Sequence, residues 1–354
     1  MSLVSTAAAL LGTGGFLLYL SDMCGGWVAV RRSSFDAKAV PSMVGKIVLV
    51  TGGNAGIGWQ AVQMLAKAGA TVILACRSLE KGQACVSSVA PDIAKNIVVM
   101  QLDLGRISSI LEFAKAFRAK YERLHVLLLN AGIAKTFMES GGWSLTSDGL
   151  EEMVGVTFLG HFLLTHLLLP VLRKTPGSRI VGQTSVAAGN SYLRGIDPAS
   201  WTSKPKDYQD WKQYGQGKLA MRLFMKYLQQ REPQVLCIGC HPGVVDSTTL
   251  MHQASAGLLE KFYNWFLFAA FAMKHEHGGL QTVWCASAPA QELEGGATYG
   301  PIGRKQEWVR SFLQRTAALQ VPLPMTTEYP SLMDDAEKVL NEKAGKKVLP
   351  VEDA

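Results

Sequence analysis

No Asn-x-Ser/Thr sequon occurs in the chain, and only six cysteines are spread over 354 residues. Cysteines this sparse do not build a disulfide framework, so stability has to come from a buried apolar core. Missing sequons fit a protein that faces the cytosol. There is no basic run with interleaved aromatics, and the net charge of +7 is diffuse. That pattern speaks against nucleic-acid binding and suits an anionic cofactor or a membrane surface. No internal repeat is visible, which sets solenoids aside. Charged residues make up only 18% of the chain and hydrophobic ones 48%, so a large core is within reach and global disorder is excluded.

Metal-binding patterns are also lacking. Cys237-Ile-Gly-Cys240 lies in a run that looks like a buried strand. Residues three apart on a strand point to opposite faces and cannot share one ion, so both are read as core thiols. His275-Glu276-His277 reads as a solvated turn, since neighbours at such spacing diverge on a helix. His161 and His166 lie in an apolar helical stretch and read as core histidines.

What is present is an alternation. Short apolar runs at Ile47–Val50, Thr71–Cys76, Ile97–Leu102, His125–Leu129, Arg179–Thr184 and Val235–Cys240 are separated by helical periodicity, as over Ile57–Ala68 and Ile107–Tyr121. Continuously apolar strands belong to parallel sheets covered on both faces. The length allows one large domain with appendages or two modest ones. The pattern predicts an α/β, Rossmann-type, doubly wound parallel sheet of about seven strands, the last near Ala297–Gly300, with ligands at the carboxyl ends of the strands. The division expected is a hydrophobic segment over 1–30, an α/β domain over 44–300, and a polar tail over 301–354. The tail carries a helix candidate around Asp334 to Lys347. Leu3 to Leu20 is uncharged and would span about 27 Å as a helix, just enough for a bilayer core. No Lys or Arg precedes it, which argues against a cleaved signal, and Arg31-Arg32 follows it. A membrane anchor with the catalytic domain in the cytosol is the expectation, and a buried N-terminal helix is the alternative.

The first strand runs into Thr51-Gly-Gly-Asn-Ala-Gly-Ile-Gly58. Gly52, Gly56 and Gly58, with Asn54 and Ile57 between them, form a turn that opens a helix. Backbone amides and the helix N-terminus there can seat a dinucleotide pyrophosphate. The second strand ends in Cys76-Arg77-Ser78 without an acid. An acid at that place would repel a 2′-phosphate, whereas an Arg fork and a hydroxyl suit one, so NADP(H) is favoured over NAD(H), with an ordinary exposed surface arginine as the alternative. Asp103, followed by Leu104, can take the adenine amino group. Asn130 can brace the sheet, and Gly132 admits the cofactor.

Tyr214-Gly-Gln-Gly-Lys218 places a phenol and an amine on one helical face. A cationic neighbour is expected to lower the tyrosine pKa from about 10 toward acid/base range. Tyr208 and Lys212 share the spacing, but bulky Trp211 lies between them where Tyr214 has small residues. Ser185, at the end of the fifth strand, can hold a substrate oxygen beside Tyr214, with Thr184 as runner-up. His241-Pro242-Gly243-Val-Val-Asp-Ser247 gives a rigid turn whose backbone, with Ser247, can hold a nicotinamide carboxamide.

TGGNAGIG, ACRS, LNAG, FLGHFLLT, RIV followed by TS, YGQGKLA, HPGVV and APAQELEGG together resemble a short-chain dehydrogenase/reductase of the membrane-associated, retinol-dehydrogenase-like branch, over roughly residues 44 to 300. The resemblance implies catalytic positions for Ser185, Tyr214 and Lys218. It implies cofactor positions for Gly52, Gly56, Gly58, Arg77, Asp103, Asn130 and Gly132. It further implies a lid over Leu258–Met273, whose apolar, aromatic composition would admit a lipophilic substrate from a membrane; an ordinary packing helix is the alternative. The implied activity is hydride transfer between NADP(H) and a lipophilic alcohol or carbonyl (retinoid, steroid or fatty), in lipid metabolism. The endoplasmic reticulum membrane is the implied location, with lipid droplets or mitochondria as alternatives, and a homodimer is compatible. Two departures stand out. Thr157 replaces an Asn that in the family holds a proton-relaying water, and Gly182-Gln183 is more polar than usual. The first leaves open a catalytically weak NADP(H)-binding scaffold or sensor. A carbon–carbon double-bond reductase is a third reading.

Overall fold

The computed structural model describes residues 39–134, 142–191, 195–243, 245, 274–300, 304–305 and 331–349. The expected anchor Leu3–Leu20, Ser247 and the expected lid Leu258–Met273 lie outside the described residues.

Seven strands form a parallel sheet: β1 (Ile47–Thr51), β2 (Thr71–Cys76), β3 (Ile97–Gln101), β4 (Val126–Leu129), β5 (Arg179–Gln183), β6 (Leu236–Cys240) and β7 (Thr298–Gly300). The order is β3-β2-β1-β4-β5-β6-β7, with β8 (Arg304–Lys305) added antiparallel to β7. The apolar runs read from the sequence match these strands to within a residue. Alternate side chains explain why the runs are unbroken. Leu49 is in register with Ile73 and with Leu127, and Leu127 with Ile180; all four enter the core on one face. Val48, Val50, Val72, Leu74, Leu128 and Val181 enter the core on the other. Burying each such side chain contributes about 1.5–3 kcal/mol relative to exposure. Cys237 belongs to the first core and Cys240 to the second, so the two thiols do face apart.

Helices α1 (Gly56–Lys67) and α2 (Leu79–Ser87) link the first three strands. α3 (Ile107–Lys120) buries Ile107, Ile110, Phe113, Ala114 and Phe117, a single stripe at three- and four-residue spacing. The Asp148 carboxylate accepts from the Ile107 backbone N–H at its start, where the helix dipole favours a negative charge. The longest apolar helix runs from Glu152 to Arg173 and comprises a π-turn over Gly155–Leu159 followed by α4 (Gly160–Arg173). Among the described residues it alone is long and apolar enough to cross a membrane, but it is buried in the protein's core. α5 (Asp210–Arg231) carries Tyr214 and Lys218, and α6 (His275–Ser287) packs on α1 across the opposite face. His275, Glu276 and His277 therefore open a helix rather than a solvated turn. The correction has a local cause: Lys274 is extended, and the Lys274 carbonyl accepts from the His277 and Gly278 backbone N–H groups.

The segment between β5 and α5 is held by buried amides. Gln216 donates to Ser200 Oγ at 2.8 Å and Gln213 to the Ser200 carbonyl at 3.2 Å. Trp201, fully buried, meets Phe158 at 5.9 Å between ring centroids. α7 (Leu332–Ala344) lays Leu332, Met333, Ala336 and Leu340 into the core that contains α3 and Trp201. Asn341 then fastens the backbone of Val348 and Leu349.

The chain's direction across the sheet reverses between β1 and β4. In such sheets ligands bind outside the carboxyl ends of the strands at that switch point.

Candidate active site

At the carboxyl end of β1 the backbone turns through Gly52 and Gly56, whose φ angles are 63° and 52°, left-handed values that favour glycine. A Cβ on Gly58 would fall 2.4 Å from the Gly52 carbonyl oxygen and from Asn130 Nδ2, so α1 can start this close to the sheet only without a side chain there. The N-cap residue is Ala55, no side chain caps the helix, and its first turn has no acid. Its free amides and positive dipole end therefore remain available to an anion, which fits the pyrophosphate of a dinucleotide. The Asn54 carbonyl accepts from Cys85 Sγ at 3.2 Å. Ile57 packs toward Gly278 of α6, and so braces the cradle from behind.

Around this cradle the remaining cofactor candidates take definite places. Arg77 is exposed, with its backbone carbonyl held by Gln101. Ser78 caps α2 by accepting from the Lys81 backbone N–H at 3.2 Å; its hydroxyl proton remains free to donate. Asp103 Oδ1 accepts from the Gly105 N–H at 2.9 Å, and Leu104 is buried. Asn130 donates from Nδ2 to the Thr51 carbonyl at 2.8 Å, bracing β1 against the end of β4. Pro242 and Gly243 follow β6 and are half-buried.

Tyr214 and Lys218 lie one turn apart on α5, with Lys218 Nζ 5.7 Å from the centre of the Tyr214 ring. Tyr214 is hydrogen-bonded to Ser185, which begins the turn after β5 and accepts from the Ala187 N–H. Thr184, by contrast, is buried, with its N–H on the Cys240 carbonyl. Tyr208, the competing tyrosine, packs its ring on Trp143 and under Lys204. The expectation that a cation lowers the Tyr214 pKa is overturned: burial pushes the phenol up to about 12, with the Ser185 hydrogen bond pulling the other way. Removing a phenolate from water costs more here than the Ser185 hydrogen bond returns. Lys218 is itself buried, and desolvation brings it down to about 8. Lys218 Nζ donates to the Gln183 carbonyl at 3.1 Å.

Beneath this group is a polar floor. A Cβ on Gly132 would lie 3.5 Å from both Lys218 Nζ and Thr157 Oγ1, so the glycine leaves a small space bounded by the amine and the hydroxyl. Among the described residues Thr157 Oγ1 is buried without a partner, as are Gln183 Oε1 and both ring nitrogens of His241. Buried polar atoms of this kind normally meet water or ligand. His161 Nδ1 must carry a proton, because it faces the Thr157 carbonyl at 2.9 Å. Burial holds this ring neutral, with a pKa down at about 4. Its Nε2 therefore accepts from Thr51 Oγ1 at 2.8 Å, which ties the π-turn to the end of β1. Sequence reasoning took His161 as a core residue, which it is, and did not see Gln183 or His241 as part of the floor. A histidine placed straight after a buried strand and before a proline was the one available signal for His241.

The short chain dehydrogenase family model matches residues 46–197. Human retinol dehydrogenase 11 is 35% identical over 286 residues, covering 79% of this chain and 84% of that protein. The chain belongs to the short-chain dehydrogenase/reductase family. As a member it is an oxidoreductase built on a nicotinamide-binding fold. Mouse polyprenol dehydrogenase is likewise 35% identical to this family member, over 75% of this chain and 77% of its own length. A solved short chain dehydrogenase from Shigella flexneri, complexed with NADP, superposes with a TM-score of 0.55. It covers 73% of this chain and 98% of its own at 21% identity, which speaks to the fold.

Proposed function

We propose that the protein interconverts a lipophilic alcohol and its ketone or aldehyde using NADP(H), with Tyr214 as acid/base. One observation carries the reading: the Tyr214 hydroxyl on Ser185, with Lys218 beside the ring, at the sheet edge next to the glycine cradle. A bound NADP(H), seated by the free amides of α1, supplies or accepts the hydride. Ser185 holds the substrate oxygen. Tyr214, a protonated phenol at neutral pH, donates its proton to that oxygen as the alcohol forms. Lys218, close to neutral pKa, can replace the lost proton and holds the cofactor ribose. The missing acid after β2 and exposed Arg77 support NADP(H) over NAD(H). Retinol and polyprenol, named for the relatives, are lipophilic alcohols, which supports the substrate class. The Leu3–Leu20 stretch would anchor the chain in a membrane, the endoplasmic reticulum first, with residues 44–300 in the cytosol.

The test is NADPH oxidation by the purified full chain against retinals, steroid ketones and long-chain aldehydes. Turnover of at least one is expected, with Tyr214→Phe reducing it at least ~1,000-fold; an active Tyr214→Phe protein would sink the assignment. The second reading, an NADP(H)-binding membrane scaffold or sensor with little turnover, is favoured by Thr157 alone. Tight NADPH binding with no turnover on the panel would select it.

A further inference from the structure

Gln183 closes β5, two residues before Ser185 and in register with Cys240 of β6. Alternation along the strand sends Ile180 into the core beside α3 and Val181 into the opposite one, so Gln183 turns toward the face of α1 and α6. Its side chain is buried there, and its amide is held at one end. Nε2 donates to Thr282 Oγ1 of α6 at 2.7 Å and to Asn130 Oδ1 at 3.4 Å. Both acceptors are already committed elsewhere. Thr282 gives its own proton to the Gly278 carbonyl at 3.2 Å, and Asn130 donates from Nδ2 to the Thr51 carbonyl. A reversed amide would set its oxygen against Asn130 Oδ1 and against a hydroxyl with no proton to give. The network therefore fixes Nε2 toward β4 and α6 and turns Oε1 away from them. Among the described residues Oε1 has no donor, although it is sealed from solvent. A buried acceptor in that state is rare and points to a hydrogen-bond donor brought by water or ligand.

We propose that Gln183 Oε1 accepts a hydrogen bond from the carboxamide amine of the nicotinamide, so that this chain selects a cofactor whose ring carries an amide N–H. The inference rests on the reading of the site as an NADP(H) seat with Tyr214 at its reacting end. Residue 183 joins the two ends of that site. Its backbone carbonyl accepts from Lys218 Nζ, one turn from Tyr214, and its side-chain amide meets Asn130, which braces the glycine turn. A dinucleotide seated at the turn and reacting beside Tyr214 has to carry its nicotinamide half past this residue. That half has two kinds of donor. Its ribose hydroxyls fall to Lys218 in the proposed reaction, which leaves the carboxamide amine for Oε1. The carboxamide oxygen is an acceptor and would be repelled by Oε1, so the glutamine also sets which way the carboxamide turns. The turn after β6 stays free to hold that oxygen. The polarity that sets Gly182-Gln183 apart from the pair usual in the family then has a role in binding.

The experiment measures Kd by calorimetry for three ligands with the full chain, in the parent and in Gln183→Met. The ligands are NADP+, its 3-acetylpyridine analogue, in which a methyl replaces the amine, and adenosine 2′,5′-bisphosphate, which lacks the nicotinamide half. Changing protein and ligand together isolates the one contact. Gln183→Met is expected to lower the preference for NADP+ over the analogue about two- to tenfold, while the Kd for the bisphosphate stays put. An unchanged preference in the folded variant overturns the inference and leaves the NADP(H) reading intact, with Oε1 meeting water instead. Equal weakening of all three ligands also overturns it, because Gln183 would then act only through Asn130 and the glycine turn. No binding of any of the three to the parent overturns the inference and the NADP(H) reading together. One arm needs no variant: the parent should bind NADP+ at least about twofold more tightly than the analogue, and equal binding overturns the inference.

Discussion

Lys218 is buried in this site at a cost that depends on pH. In the folded chain its pKa is about 8, against 10.5 for a free lysine. Between those values the unfolded chain binds more protons than the folded one, so stability rises with pH there. Below pH 8 the folded chain bears the whole cost of the buried ammonium, roughly 3 kcal/mol. Lys218→Met should therefore be more stable than the parent at pH 7 in urea unfolding without cofactor, and the gap should close as pH rises from 8 to 10.5. A constant gap would mean that the amine is not desolvated. Thr157 raises a related question, because its hydroxyl is buried without a partner. Thr157→Val keeps the shape and removes the orphan atom, so it should gain about 1 kcal/mol of stability. If the hydroxyl holds a water in proton transfer, kcat should fall severalfold at unchanged NADPH affinity; an unaltered kcat would exclude that role. The spacing of Tyr214 and Lys218 was legible in the sequence because four residues on a helix is a local relation. Gln183 and His241 were not, since they approach the site only through the register of β5 against β6, which no local pattern encodes. The direction of the Tyr214 pKa was also illegible: it depends on how deeply the phenol is buried, a property of the whole site.

At the scale of elements, the strands were legible because a parallel strand covered on both faces is apolar at every position. The π-turn over Gly155–Leu159 was not, since one extra residue per turn leaves the composition of a helix unchanged. α7 was visible as a helix but not as part of the core. Its charged residues dominate its composition, while Leu332, Met333, Ala336 and Leu340 lie on one buried side. Leu340→Ala should cost about 2–5 kcal/mol, read as a lower urea midpoint; a midpoint unmoved would mean that α7 contributes nothing to the fold. The glycine turn gives a further test. Gly58→Ala brings a Cβ against the Gly52 carbonyl and Asn130, so NADPH binding measured by fluorescence should weaken at least tenfold, or the fold should be lost. Unaltered binding would remove the cradle from the cofactor seat.

For the molecule as a whole, His161 and His241 set the acid limit. Burial holds them neutral, with pKa values near 4 and 3 against 6.5 when free. Below pH 6.5 the unfolded chain takes up their protons and the folded chain does not, so stability is lost as pH falls. The loss at pH 5 is on the order of 2 kcal/mol for each. Urea midpoints should drop between pH 7 and pH 5, and a flat profile would show that the two rings are not sealed from water. The place of α7 also bears on how the protein is made. The core side formed by α3 and Trp201 is completed by residues that leave the ribosome after everything else described here. A nascent chain that has not yet reached residue 331 presents that greasy face bare, with the sheet already paired behind it. Chaperones should therefore hold this protein until late in synthesis, and ribosome-bound chains stopped short of α7 should aggregate where released full-length chains do not.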